Sequence, residues 1–232
     1  MDNNIYVDVK NLTKTFKDHN NNSAVVFKDV NFLAKAGEIT IIRGKSGCGK
    51  STLLNILSTI DNKFDNGSVY IMQEDISTFS ESKKATFRNE HIGFIFQSHE
   101  LIAEFNILEN CSIPLKLKGM DQTQAYKEAA QLLDKFGISE ESYMKFPREL
   151  SGGQQQRVGI ARAMINKPDI IFADEPTANL DEISKEKVNE YMKTLINDGT
   201  ALVIVTHDSA YESESFSHSV YNFIDGTLVK TR

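Results

Sequence analysis

Residues 38–57 read EITIIRGKSGCGKSTLLNIL. Residues 38–43 (EITIIR) form a short apolar run of the kind that makes a buried strand. Gly44 to Ser51 (GKSGCGKS) then fits the spacing G-x-x-x-x-G-K-S/T, and the helix-compatible run STLLNIL follows. A strand, a glycine-rich turn and a helix in that order make a cradle for phosphate. Gly44, Gly47 and Gly49 allow the backbone to approach an anion closely, so the loop amides can point inward around it. The helix starting near Lys50 presents its positive end to the same anion. In this pattern Lys50 reaches β- and γ-phosphates and the Ser51 hydroxyl suits Mg2+. Lys45, Ser46, Cys48 and Thr52 complete the expected phosphate-binding stretch.

Working outward, residues 5–16 and 24–33 read as strands, joined through polar residues 18–23 as a hairpin. Further strands are expected at 68–72, 92–96, 170–173 and 201–205. Residues 184–196 form an amphipathic helix with Val188, Tyr191 and Leu195 on one face. Residues 220–230 suggest a hairpin turning at Asp225-Gly226. Strands alternating with helices imply a mainly parallel sheet covered on both faces, hence an α/β fold. The middle differs: residues 106–136 look helical, and in the second half Tyr126, Ala129, Leu133 and Phe136 recur at helical spacing, with Asp121 as an N-cap, Gln124 three positions later, and Gly119 and Gly137 punctuating the two ends. This stretch reads as a helical insert reaching about residue 167.

Composition narrows the function. The chain has 232 residues, a net charge of −6, 40% hydrophobic and 25% charged residues. An acidic chain without a basic stripe argues against nucleic acid as a partner. No apolar run approaches the roughly 20 residues needed to span a bilayer. The opening MDNNIYVDVK lacks the basic and apolar regions of a signal peptide, so a cytoplasmic location is expected. The two cysteines, Cys48 and Cys111, are too few for a disulfide scaffold. Cys111 is expected to be a small buried apolar residue, and Cys48 a thiol open to alkylation.

Residues 170–175 (IIFADE) carry a buried strand to two adjacent carboxylates. Asp174 and Glu175 can divide the work of a phosphoryl-transfer site, one near Mg2+ and one on the attacking water. Leu150 to Gln154 reads LSGGQ and runs on through QQR to Arg157. Ser151 can cap the following helix, and Gly152 and Gly153 leave backbone amides uncovered, which makes a second anion site.

These motifs together resemble the ABC ATPases. Gln97 matches the family's Q-loop glutamine, a ligand for Mg2+ alongside Ser51 and Asp174. Residues 178–181 (ANLD) match the D-loop, which places Asp181 at a dimer interface. His207, after ALVIVT, matches the switch histidine, and Phe16 the aromatic that stacks on adenine. The resemblance covers essentially the whole chain. It implies the P-loop NTPase fold of an ABC ATPase: a mainly parallel core sheet, an N-terminal antiparallel β part and a helical signature subdomain. A single domain would span 1–232, with 1–97 and 168–232 as the ATP-binding core and 98–167 as the helical subdomain. It further implies an ATPase that uses ATP and Mg2+, with Lys50, Glu175 and His207 as catalytic residues. Two copies would pair head-to-tail on ATP, with Ser151, Gly152, Gly153 and Gln154 acting in trans. The chain would sit on the inner face of the cell membrane through a separate integral membrane permease. Residues 98–119, with LSGGQQQR and ADEPTANLD, most resemble the lipoprotein-releasing, macrolide- and antimicrobial-peptide-exporting group. Amino-acid importer and cell-division or other non-transport ABC ATPases are the alternatives.

Overall fold

Apolar residues alternate along the first two strands, with irregularities near Asn11 and Asp29, both at positive φ, that shift the register without ending either strand. β1 (Ile5–Lys17) buries Val7, Val9 and Leu12, and β2 (Ser23–Lys35) buries Phe27, Val30, Phe32 and Ala34. They pair antiparallel, from Ile5 opposite Lys35 to Lys17 opposite Ser23. The computed structural model describes residues 4–17, 23–61, 63–206, 211 and 218–232. The expected hairpin connection at 18–22 and His207 lie outside the described residues. β4 (Asn66–Ile71) and the two-residue β5 (Glu74–Asp75) extend this antiparallel sheet in the order β2-β1-β4-β5.

The second sheet holds β3 (Ile39–Arg43), β6 (Ile92–Ile95), β7 (Ile170–Asp174), β8 (Ala201–Val205), β9 (His218–Ile224) and β10 (Thr227–Lys230). Its order is β10-β9-β3-β8-β7-β6, and every pairing is parallel except β10 on β9. β7 and β8 are buried at every position, as their continuous apolar runs require when helices cover both faces. The β9–β10 turn carries Asp225 at φ 47° and Gly226 at φ 77°, the paired positive angles of a type I′ hairpin. The parallel register brings the C-terminal ends of β3, β8 and β7 to one edge of the sheet.

Among the described residues six α-helices complete the fold: α1 (Lys50–Leu57), α2 (Glu81–His91), α3 (Ile107–Leu117), α4 (Gln122–Lys135), α5 (Gly152–Met164) and α6 (Glu182–Asn197). The helical stretch expected across 106–136 is two helices. α3 ends at Leu117, and Asp121 Oδ1 accepts from the amides of Thr123 (2.9 Å) and Gln124 (3.2 Å) to start α4 afresh. α2 has no counterpart in the sequence expectation. Only Lys84 and Phe87 of its residues are buried, so it shows no apolar stripe. Its start is marked instead by Ser80, whose hydroxyl accepts from the Lys83 amide at 3.2 Å.

The period-two alternation of the parallel strands divides the core in two. Ile171, Ala173, Leu202 and Ile204 pack with Leu133 of α4, Val158 and Ile160 of α5 and Val188 of α6. Ile170, Phe172, Val203 and Val205 face the other way, onto Leu53, Leu54, Ile56 and Leu57 of α1 and onto Phe27 and Phe32 of β2. The helix that follows the glycine loop is thereby held between the two sheets. Cys111 is fully buried, and burial pushes its thiol up to about 12, so it remains an inert apolar group. Among the described residues no helix is long and apolar enough to cross a membrane.

α5 lies very close to β6. A Cβ on Gly93 would stand 2.4 Å from the Ala163 carbonyl oxygen and 3.0 Å from the Pro168 ring. Gly93→Ala should therefore lower unfolding free energy by about 1–3 kcal/mol in urea melts. An unchanged midpoint would mean that the helix and strand can separate freely.

Candidate nucleotide site

Residues 44–49 join β3 to α1. Gly49 caps α1 at φ 104°, and a Cβ there would meet Val26 Cγ1 at 2.7 Å. Glycine is required by both the backbone angle and the space. No side chain caps the start of α1, so its first amides keep their hydrogen-bonding capacity for an anion. Lys50 Nζ donates to the carbonyls of Gly44 (2.8 Å) and Lys45 (2.9 Å) and lies 3.8 Å from Cys48 Sγ. The ammonium is thus folded back over the loop. Ser51 Oγ donates to Asp174 Oδ2 at 2.5 Å, joining the loop to the end of β7.

A cleft of about 690 Å³ opens at this junction, within the size range of sites that hold a small organic ligand. Ser46, Gly47, Gly49, Lys50, Ser51 and Thr52 line it, and so do Phe16, Gln97, Asp174 and Glu175. Gly44, Lys45 and Cys48 are not among its lining residues. Phe16 is 50% exposed, so its ring is a surface of the cleft and not part of the core. Ser51, Gln97 and Asp174 bring three hard oxygen donors to one cleft, a set that suits Mg2+. Among the described residues no cluster of three or more His, Cys, Asp or Glu could hold a metal by itself.

Glu175 is the first residue past β7. Its amide donates to the Val205 carbonyl at 2.8 Å, and its φ is 44°. A non-glycine residue in the left-handed region costs energy and is held there only by its surroundings. The turn redirects the chain so that Asp174 and Glu175 both line the cleft.

The LSGGQ segment lies at the start of α5. Ser151 Oγ accepts from the Gln154 amide (3.3 Å), and Gln154 Oε1 accepts from the Ser151 amide (2.9 Å), a reciprocal capping box. A Cβ on Gly152 would meet nothing within 4 Å. None of Ser151, Gly152, Gly153 or Gln154 lines the phosphate-loop cleft. Asp181 caps α6, accepting from the Ser184 amide (2.9 Å) and hydroxyl (2.8 Å). The Ser184 amide, then its hydroxyl, hold the Asp181 carboxyl below its ordinary value, and Arg157 adds to this. Arg157 also donates to Ser184 Oγ at 2.6 Å, tying α5 to α6.

Sequence reasoning missed Gln156. It is buried, and its Nε2 donates to the carbonyls of Phe96 and Pro176, both at 3.1 Å. Phe96 precedes Gln97 and Pro176 follows Glu175, so one amide ties α5 to both segments that flank the cleft. Its Oε1 has no partner among the described residues.

A glycine-rich loop feeding a helix with no side-chain cap, with its serine bonded to an acidic strand end and a serine-capped, glycine-started helix on a separate layer, defines a P-loop nucleotide-binding cassette. The chain belongs to the ABC transporter family, as one of its ATP-hydrolysing subunits; residues 27–178 match that family. It is similar to the lipoprotein-releasing system ATP-binding protein LolD of Francisella tularensis, 42% identical over 228 residues that cover 97% of this chain and 96% of that protein. The LolD of Shewanella oneidensis is 43% identical over 205 residues, 88% of each chain. Among solved structures, the dimeric post-hydrolysis state of the ATP-binding cassette MJ0796 bound to ADP and Pi superposes with a TM-score of 0.88. It is 38% identical, and the match covers 97% of this chain and 99% of that one. The fold expected from the sequence is the fold observed.

Gln156→Leu removes the donor from the buried Pro176 carbonyl bond, at about 1–3 kcal/mol, and from the part-buried Phe96 carbonyl bond, at about 1 kcal/mol. Chemical denaturation should show a loss of about 2–4 kcal/mol. A loss below 0.5 kcal/mol would indicate that water or neighbouring groups take over both bonds.

Proposed function

We propose that this chain is the ATPase subunit of a LolD-type lipoprotein-releasing transporter, closed by ATP into a head-to-tail homodimer beneath a separate membrane permease. One observation carries the dimer: the cleft gathers Phe16, the phosphate loop, Gln97, Asp174 and Glu175 from one chain and leaves Ser151 to Gln154 outside it. A second copy related by a twofold axis would supply that missing wall, as an isologous pair does. The likeness to LolD proteins over nearly the full length supports the subgroup.

In this reading Phe16 carries the adenine, and Lys50 with the loop amides holds the β- and γ-phosphates. Ser51, Gln97 and Asp174 hold Mg2+, which when bound neutralises charge on the phosphate oxygens. Glu175 orients and polarises the attacking water. His207 is assigned to the γ-phosphate by resemblance. The partner's hydroxyl and amides at the LSGGQ helix start add donors for the charge that develops on the transferred group. Asp181 lies beside this surface while capping α6.

The permease would meet the groove of about 430 Å³ between α2, β6, α3 and α5, where Ile60, Phe94, Phe96 and Leu117 supply apolar surface and Arg88 a charge. Leu117 is 71% exposed there, which suits a partner that buries it. The chain then works at the inner face of the cell membrane.

Glu175→Gln should bind ATP as the unaltered chain does, while steady-state turnover falls about 10²–10⁴-fold. Unchanged turnover would remove Glu175 from the mechanism. Ser151→Arg should abolish turnover yet leave ATP affinity intact in dilute monomer. Lost monomer affinity would place Ser151 in the site of its own chain. Affinity purification from detergent-solubilised membranes should bring down a permease with a large external domain, and recovery of the chain without any membrane protein would exclude the transporter reading.

A further inference from the structure

Lys14 lies within β1 with only 5% of its surface exposed. An ammonium is costly to bury unless it is paired and hydrogen-bonded. Here it is satisfied: Nζ donates to Asp61 Oδ2 at 3.0 Å and to the Lys63 carbonyl, and it stands 4.9 Å from the centroid of the Phe16 ring. Phe16 is two residues further along the same strand, so both side chains leave one face of the sheet.

The other two partners come from elsewhere. Asp61 and Lys63 belong to the segment that leaves α1. The amides of Ile60 and Asp61 both donate to the Asn55 carbonyl at 3.0 Å, which fixes that segment to the helix end. The leading end of α1 carries the phosphate loop. One buried charge therefore connects the cleft's exposed aromatic to the trailing end of its phosphate helix. A second tie runs alongside: Asp65 Oδ2 accepts from the amide (2.6 Å) and hydroxyl (2.8 Å) of Thr15.

An apolar side chain could fill the space of the lysine stem. What it would not supply is direction. A buried ion pair adds little to stability over a well-packed hydrophobe, and its best-supported use is to specify one arrangement over others. The ammonium over Phe16 adds a cation–π contact that holds a half-exposed ring in one place.

We propose that Lys14 is a positioning residue for the nucleobase: it holds Phe16 at a set place relative to the phosphate loop and so sets the base-dependent part of ATP affinity. This rests on the reading of Phe16 as the adenine platform. Lys14 touches neither phosphate nor base. It acts by lowering the ordering cost that the ring would otherwise meet when the base stacks.

The test is equilibrium binding of ATP and of inorganic tripolyphosphate to the purified full chain, with circular dichroism as the check on folding. Lys14→Met should weaken ATP roughly three- to tenfold, the scale of ordering one side chain, and leave tripolyphosphate unchanged. Asp61→Asn keeps the lysine in place and should give the same pattern at smaller size, which covers the case in which Lys14→Met does not fold. Lys14→Arg should recover part of the loss. On a Phe16→Ala background, Lys14→Met should add nothing. Equal weakening of ATP and tripolyphosphate would overturn the proposal, because Lys14 would then only support the scaffold. So would a Phe16→Ala variant that loses ATP affinity beside Lys14 and Asp61 variants that do not. If Phe16→Ala itself binds ATP normally, the platform reading fails first and the role of Lys14 falls with it.

Discussion

Ser51 donates a 2.5 Å hydrogen bond to Asp174 across 123 positions of sequence, and the surrounding architecture makes that contact possible. Asp174 ends β7, and Ser51 stands in the first turn of α1, reached from the end of β3 through the phosphate loop; β3 and β7 are separated in the sheet by β8 alone. A parallel sheet puts such ends on one edge. Parallel strands in turn need crossovers and cover on both faces, which is why β7 and β8 admit no polar position before Asp174. α1 supplies part of that cover and also carries the phosphate loop, so packing and anion binding depend on the same helix.

The two helix starts that could meet an anion differ in one respect. α1 begins at Gly49 with no side-chain cap and lines the cleft directly. α5 begins at Ser151 with a closed capping box. That box satisfies the Gln154 amide but leaves the hydroxyl proton of Ser151 and the amides of Gly152 and Gly153 as donors. The first site gathers its phosphate loop, acidic strand end and Gln97 within one chain. The second is a stable, self-satisfied helix end that offers donors outward. In the proposed dimer, a nucleotide at the first site would meet these donors on the α5 of the partner.

Legibility followed the physics of each segment. β7, β8 and the phosphate loop were readable because continuous apolar runs and glycine spacing leave few alternatives. The β9–β10 hairpin was readable from Asp225-Gly226. α2 was not, since its stability comes from the Ser80 cap and a few contacts and not from an apolar stripe. The start of α4 was readable from Gly119 and from the Asp121 cap, which accepts from the Thr123 and Gln124 amides. Asp181 was assigned by resemblance to an interface, whereas its spacing to Ser184 also marks an N-cap. Gln156 did carry a signal. It falls on the buried stripe 156–160–164 with Ile160 and Met164, and a glutamine on such a stripe must find partners. Which carbonyls it reaches depends on tertiary contacts that no local pattern records.

The central claim is that nucleotide held by one chain is completed by the helix start of another. The most direct test is amide hydrogen exchange at residues 150–154 of the Glu175→Gln chain with Mg2+ and ATP, measured over a range of chain concentrations. The account predicts protection of these amides that appears only at concentrations where the mass doubles from 26.1 kDa. Protection that persists in dilute monomer, or a saturated dimer whose amides at 150–154 exchange as freely as those of the nucleotide-free chain, would contradict it.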